Sequence, residues 1–201
     1  TGLIYQHHPR FADVPRVHGP HLEHVEGGDV LLLAPDVIAV GVGERTTPAG
    51  FERFAQQVLG GGLARIVLAV PIAQERATMH LDTVLTLIHD DECLVYPPYF
   101  TDGSNELLNV VKVDLRHEEL RFTHGANLLR SLKEVGIDLK PVFCGGADFI
   151  MQQREQWTDG ANAFALAPGV ITSYKRNRAT AEELAKAGYR VSTANNGRDA
   201  I

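Results

Sequence analysis

At 201 residues and 44% hydrophobic, the chain can bury a substantial core as one soluble globular domain. A formal net charge of −6 and an isoelectric point near 5.8 argue against nucleic acid as a partner, which calls for a basic face. No apolar run approaches the roughly 20 residues that cross a bilayer, so no membrane role is expected, and the opening Thr1-Gly2-Leu3-Ile4-Tyr5-Gln6-His7 does not read as a signal peptide.

In chain order, His7, His8, His18, His21 and His24 are scattered through a loop-like region and read as solvated. The first regular unit follows. Val30 to Leu33 and Val37 to Val42 are short runs with β-branched residues around an Ala34-Pro35-Asp36 turn, which predicts two strands. Thr46 or Thr47 can cap a helix that has Pro48 in its first turn. Phe51, Phe54, Ala55 and Val58 then recur at helical spacing, and Gly60-Gly61-Gly62 ends the helix before a third strand at Ile66 to Val70. Strands this continuously apolar are expected to be buried on both faces in a layered α/β protein.

A second unit opens with Asp82 to Ile88, turns at His89-Asp90-Asp91 and resumes at Cys93 to Tyr96. Pro97-Pro98 breaks it, and an insertion with Gly103, Ser104 and Asn105 gives way to a polar stretch. Leu128, Leu129, Leu132 and Val135 form a helical stripe ending at Gly136, and Leu139 to Phe143 is the closing strand. The third unit runs Ala163 to Leu166 and Val170 to Tyr174. Its helix is predicted to begin at Thr180, with Glu183 completing a capping box, to end at Gly188, and to lead to a last strand at Tyr189-Arg190-Val191. The order is ββαβ three times, over residues 25–71, 79–144 and 157–194 of a single domain. The chain lacks an initiating Met, and Asn195 to Ile201 stops just after a strand-like run, as expected of a piece of something longer. Cys93 and Cys144 leave room for one disulfide, but their spacing is not that of a secreted scaffold, so a reduced cytoplasmic setting is expected.

Two of these units share a frame. Glu26-Gly27-Gly28-Asp29 is followed by Ala34-Pro35, Val37-Ile38, Arg45 and Thr47. Asp159-Gly160-Ala161-Asn162 is followed at the same offsets by Ala167-Pro168, Val170-Ile171, Arg178 and Thr180. Such an echo signals one supersecondary unit used more than once, and its leading acids would converge where the copies pack. The second unit carries Met79-His80-Leu81-Asp82 where the first carries Gly-Gly-Asp. On a strand, residues i and i+2 share a face, which would aim His80 and Asp82 together, as well as Gly27 and Asp29. Glu26, Asp29, His80 and Asp82 could then form one polar cluster. A histidine among carboxylates suits proton transfer, and paired carboxylates suit a cation, above all a planar guanidinium. Glu26, His80 and Asp82 also make a three-ligand set of the kind catalytic zinc uses, but the spacing is not specific and no His-x-x-x-His pair accompanies it. The plainer readings are that Glu26 and Asp29 hold a turn, that Arg45 pairs with Glu44 or Asp29, and that Asp159 and Asn162 cap strand ends.

At these residues the chain resembles the arginine deiminase family of the guanidino-group-modifying (pentein) superfamily. The matching stretches are His8-Pro9-Arg10-Phe11, Val25 to Val30, Ile38 to Thr46, Met79 to Thr83, Arg154 to Trp157 with Asp159-Gly160, and Ala167 to Val170 through Tyr174-Lys175-Arg176-Asn177 to Thr180. The resemblance implies a partial α/β propeller, about three of five ββαβ units of a closed ring. It implies hydrolysis of L-arginine to L-citrulline and ammonia, with no cofactor and no metal, by attack of a cysteine thiolate on the guanidinium carbon. Glu26 and His80 would be the acid–base pair, Asp82 would hold the guanidinium, Arg45 would bind the substrate carboxylate and Asp29 would support that site. A homo-oligomer is expected. The family's nucleophilic cysteine, in a Gly-rich loop near the C-terminus, and a second guanidinium-binding aspartate from an N-terminal unit have no counterpart here. Cys144, in Phe143-Cys144-Gly145-Gly146, is a weak substitute, because a buried strand-end thiol is inert; Cys93, inside a strand, is weaker still. Another guanidine-modifying enzyme, an amidinotransferase or a dimethylarginine hydrolase, and a non-catalytic guanidinium-binding fragment stay open as alternatives.

Overall fold

The structure, a computed structural model, describes residues 23–193 apart from 105–107 and 118, with positions 4, 7–11, 13 and 14 near the start. His18 and His21 of the histidine set, Asn105 of the insertion and the terminal residues 194–201 lie outside the described residues.

The chain has a mixed α/β fold. Strands β1 (Val30–Ala34) and β2 (Val37–Val42) form an antiparallel hairpin, helix α1 (Pro48–Gly60) crosses over, and β3 (Ile66–Pro71) returns parallel to β2. The same arrangement recurs with β4 (Leu85–Leu87), β5 (Glu92–Val95), helix α2 (Leu128–Glu134) and β8 (Lys140–Phe143). A third hairpin, β9 (Phe164–Ala167) with β10 (Val170–Thr172), lies between helices α3 (Phe149–Gln156) and α4 (Arg178–Lys186).

Local chemistry accounts for the first unit. The Thr47 hydroxyl accepts the Gly50 N–H at 3.1 Å, Pro48 occupies the first turn, and Phe51, Phe54, Ala55, Val58 and Leu59 are buried along one face of α1. Strand alternation then decides which side of the sheet each residue serves. Ile38, Val40, Val67 and Ala69 pack with Phe51, Phe54 and Val58 under α1. Val37, Ala39, Leu68 and Val70 pack on the opposite face with Leu81, Leu85, Val95 and Leu128 of the second unit. The second sheet divides likewise: Cys93 and Val95 join that shared core, while Leu94 meets Ile88, Val142 and Leu184 of α4. Adjacent units are therefore welded through a common apolar layer.

The polar stretch after the insertion proves to be a long hairpin, β6 (Asn109–Arg116) with β7 (Glu119–Asn127), which extends the first sheet to the order β1-β2-β3-β6-β7. Val111, Val113 and Leu115 turn to the α1 core, Val110 beside a bulge enters the shared core, and the polar residues between them make the run look polar by composition. Three further expectations are corrected. The Tyr189-Arg190-Val191 segment is not a strand; Tyr189 instead packs beside Leu184 and donates its hydroxyl to Glu92 at 2.8 Å. Helix α4 begins at Arg178, and Glu183 bonds Lys186 rather than forming a capping box with Thr180. Burial on both faces holds for β2 and β3 but not for the edge strand β1, where Leu32 is exposed, and the third hairpin leaves Phe164, Leu166 and Val170 exposed. Both cysteines are free and buried. No helix among the described residues is long and apolar enough to cross a membrane.

Leu68 is fully buried in the shared layer. Leu68→Ala is expected to cost about 2–5 kcal/mol of stability, read as a lower urea midpoint; a change below about 1 kcal/mol would mean the two units do not share one core.

Candidate active site

The chain reaches its three hairpins through three similar tight turns, and these turns carry the polar residues. Gly27–Asp29 and Leu81–Thr83 are single 3-10 turns, each closed by an N–H bonding back three residues: Asp29 to the Glu26 carbonyl and Thr83 to the His80 carbonyl, both at 3.1 Å. Asn162 bonds back to the Asp159 carbonyl at 3.2 Å, although Asp159 itself is left-handed at φ 59° where Glu26 and His80 are extended. His80 and Asp82 therefore do not converge by strand alternation, as expected from their spacing; the Leu81–Thr83 turn brings them together. The turns also shift the correspondence between units. Glu26, His80 and Asp159 occupy the same place at the mouth of each hairpin, Asp29 matches Thr83, and Asp82 lies opposite Gly28. A Cβ added at Gly28 would come within 2.9 Å of the His80 ring and 3.1 Å of an Asp82 carboxylate oxygen. Glycine stands there because those two side chains fill the space.

Four of the five predicted site residues adjoin one another. His80 Nε2 and Glu26 Oε2 are 2.6 Å apart, a short charge-assisted contact, with the ring about one-fifth exposed. Asp29 is fully buried: its Oδ2 accepts the Thr46 hydroxyl at 2.6 Å and its Oδ1 accepts the Leu81 N–H at 3.0 Å. Burial pushes the Asp29 carboxyl above the ordinary aspartate range, against the two hydrogen bonds and the nearby His80, which pull it down. Asp82 is also raised, first by burial and then by the charges of Asp29 and Asp159, with His80 opposing. Its carboxylate has no hydrogen-bond partner among the described residues, although its main-chain oxygen accepts from Thr86 at 3.1 Å and Asn162 at 3.2 Å. The fifth residue, Arg45, lies at the rim. It faces Glu26 at 3.8 Å, not Glu44 or Asp29, and both side chains are nearly half exposed.

Thr46 and Gln156 do work that sequence reasoning missed. Thr46 is buried and does not cap α1; besides holding Asp29, its oxygen accepts the Glu26 N–H at 3.2 Å. Gln156 donates to the carbonyls of Ala77 and Thr83. Asp159 does not bond a strand end through its carboxylate, which pairs with Arg176 at 3.6 Å; that guanidinium lies over the Tyr174 ring. Asn162 reaches across to the second turn. Among the described residues no three His, Cys, Asp or Glu side chains are grouped so as to hold a metal ion. The arrangement offers a hydrogen-bonded acid–imidazole pair next to a half-buried carboxylate with free acceptor sites, in a region of net negative charge. It suits a cation able to donate several hydrogen bonds.

Comparison with known proteins points the same way. A family model described as arginine deiminase matches residues 1–197. The chain is 45% identical over 193 residues to an arginine deiminase of Mycobacterium avium (strain 104), covering 96% of this chain and 47% of that protein. It is 46% identical over 194 residues to the arginine deiminase of Mycobacterium tuberculosis (strain ATCC 25618 / H37Rv), with the same coverage. The chain thus spans about half the length of the curated relatives it matches. Among solved structures it is similar to a mutant of DDAH from Pseudomonas aeruginosa complexed with citrulline, with a TM-score of 0.55 and 17% identity, covering 95% of this chain and 56% of that one. At that identity the likeness concerns the fold alone.

The Asp82 environment sets a pH dependence. Because its folded value lies above the ordinary 3.8, the folded chain keeps that proton to higher pH than the unfolded chain. The stability it brings is present below 3.8 and lost as pH rises through the folded value. Asp82→Asn is therefore expected to stabilise the chain at pH 7, with the gain shrinking as pH falls toward 4. Urea denaturation at several pH values checks this; a loss of stability at pH 7 would contradict it.

Proposed function

We propose, from the premise that this chain belongs to the arginine deiminase family, that it carries the guanidinium-binding and proton-transfer half of a site hydrolysing L-arginine to L-citrulline and ammonia. The observation that carries the reading is the 2.6 Å Glu26–His80 pair set beside the unpartnered Asp82 carboxylate. Asp82 takes two guanidinium N–H groups in parallel charge-assisted bonds, and the surrounding acids offset the substrate's charge. A thiolate attacks the guanidinium carbon, His80 gives a proton to the departing ammonia, and then takes one from the water that releases citrulline. Glu26 orients the ring and balances its charge while it is protonated. Arg45, at the rim and only loosely engaged with Glu26, turns to the substrate α-carboxylate. Asp29, locked by Thr46 and Leu81, holds the two turns together and is not itself a proton carrier.

The attacking thiolate is proposed to come from outside these 201 residues. Cys93 and Cys144 sit in the shared apolar core, and burial pushes both thiols up to about 12, so almost no thiolate forms at neutral pH. In native chain at pH 8, iodoacetamide is expected to leave both unmodified, and to alkylate both after unfolding, as read by intact mass. Fast native alkylation of Cys144, or appreciable release of citrulline by the chain alone, would return the nucleophile to this sequence. Within the same proposal the units at 25–71, 79–144 and 157–194 are about three of five in a ring, and the exposed Phe164, Leu166 and Val170 favour self-association.

Calorimetry with L-arginine and agmatine tests the substrate. Arginine is expected to bind more tightly by about tenfold or more, the scale of one charge-assisted contact, and Arg45→Ala should abolish the difference. Asp82→Asn should weaken both ligands alike. Equal affinity for the two in the unmodified chain would count against an α-amino acid substrate and favour another guanidine-modifying activity.

A further inference from the structure

Gln156 lies at the end of α3, only 2% exposed, and is remote in sequence from the site. Its side-chain nitrogen donates to the Ala77 carbonyl at 2.7 Å and to the Thr83 carbonyl at 2.8 Å. Two acceptors at that distance fix which end of the amide is nitrogen. The amide therefore bridges the two ends of the segment from Ala77 to Thr83, and His80 and Asp82 lie between the bridged points. Its Oε1 is buried with no donor to meet it among the described residues. A side chain chosen only to fill space would not bury an unmatched polar atom, so the position needs the two N–H groups.

The second turn is gripped from both neighbours. On one side the Asp29 carboxylate of the first unit holds the Leu81 N–H. On the other, Asn162 holds the Asp82 carbonyl, Thr86 joins that carbonyl to Ala161, and Gln156 holds Thr83. The adjoining Glu155 anchors α3 in turn: its buried carboxylate accepts the Ala179 and Thr180 N–H groups at 2.9 and 2.8 Å and the Thr180 hydroxyl at 2.7 Å, tying α3 to the start of α4. Gln156 thus projects from a helix whose own position is fixed.

We propose that Gln156 is a positioning residue, one that sets the His80 ring against Glu26 and aims the Asp82 carboxylate by bridging the two ends of their segment. The proposal rests on reading His80 as the proton carrier and Asp82 as the group that holds the guanidinium. It gives the entry to the third unit a part in the site: Asp159 does not take the place of Glu26 in the chemistry, while Asn162 and Gln156, the latter in the helix just before that unit, supply the scaffold.

The test is an NMR comparison of the chain with Gln156→Met, which keeps length and shape but removes both donors. The chain is labelled in histidine rings, and a His80→Gln sample assigns the His80 signals. If Gln156 positions the turn, the His80 ring signals move or broaden in the folded variant. Those of His89, which is paired with Asp91 away from the site, stay in place, and arginine binds several-fold more weakly. If the variant folds with His80 signals unchanged, Gln156 supports stability alone and the proposal fails. Should Gln156→Met not fold, hydrogen exchange of the Gln156 side-chain amide in the unaltered chain decides. Exchange about tenfold or more slower than at the exposed Gln57 supports the bridge, and equal rates overturn it. The ring signals are read without ligand. A failure of the arginine reading, seen as undiminished binding in Asp82→Asn, is therefore separate from a failure of this one.

Discussion

The site depends on one buried carboxylate. Asp29 belongs to the first unit, yet one of its oxygens holds the Leu81 N–H of the second, and the other holds the Thr46 hydroxyl, whose oxygen in turn takes the Glu26 N–H. Through this single group Glu26 and His80, 54 residues apart in sequence, come to lie 2.6 Å from each other. An ionised carboxylate removed from water is costly unless its lone pairs are met by donors, and here both oxygens are. The same need dictates Gly41 on β2: any Cβ there would collide with the Asp29 side chain and touch the Leu81 Cβ at 3.0 Å. The chain gives up a side chain near the end of β2 to keep the staple in place.

The staple can act with precision because its two halves hang from one apolar layer. Alternate residues of β2 and β3 face α1, and the others meet the second unit's strands and α2. A close-packed layer of this kind has few alternative arrangements, so a displacement of one turn relative to the other must disturb Leu68, Leu81 and Leu85 together. Polar side chains at the hairpin mouths inherit that rigidity. The third unit contributes differently. It shares little of the layer, its hairpin is exposed, and it reaches the site through a hydrogen bond from Asn162, beside that of Gln156 in the helix leading into it.

Much of this was legible in the sequence, for identifiable reasons. Continuous β-branched runs, the Thr47-Pro48 start and the i, i+3, i+4 spacing of Phe51, Phe54 and Ala55 each report a local preference, and β1, α1 and β3 stand within a residue or two of where they were expected. The grouping of Glu26, Asp29, His80 and Asp82 was readable from the echo between units. What failed were inferences that turn on partners far along the chain. The β6–β7 hairpin looks polar because only the first sheet and α1 reveal which of its faces is covered. The Thr180/Glu183 pair has the capping-box spacing, but Glu155 takes the Thr180 hydroxyl first. Period-two reasoning placed His80 and Asp82 on a common strand face, whereas the backbone tightens into a 3-10 turn there. Gln156 lies inside the Arg154 to Trp157 stretch that carries the family resemblance, but nothing in its residue type assigned it a role. A glutamine in a short, mostly polar helix is ordinary until the carbonyls of Ala77 and Thr83 are seen beneath it.

The equivalence of Glu26, His80 and Asp159 explains how one backbone device supports unequal chemistry. Each residue sits at the entrance to a hairpin, with its carbonyl taken by the N–H three residues on, but Glu26 and His80 are extended whereas Asp159 is left-handed at φ 59°, so the third side chain leaves the backbone in another direction. An acid and an imidazole in adjacent copies make the hydrogen-bonded pair to which the proposed function gives proton transfer. The third copy's acid is turned toward Arg176 instead. Asp82 has no acidic counterpart in the first unit, where Gly28 stands opposite it. The His80 ring and the Asp82 carboxylate already occupy the space a side chain at residue 28 would need, and an acid there would add a third repulsive charge to Asp29 and Asp159, which already raise Asp82. With glycine at that point the Asp82 carboxylate keeps free acceptor sites, and under the proposed function a guanidinium would fill them and neutralise its charge.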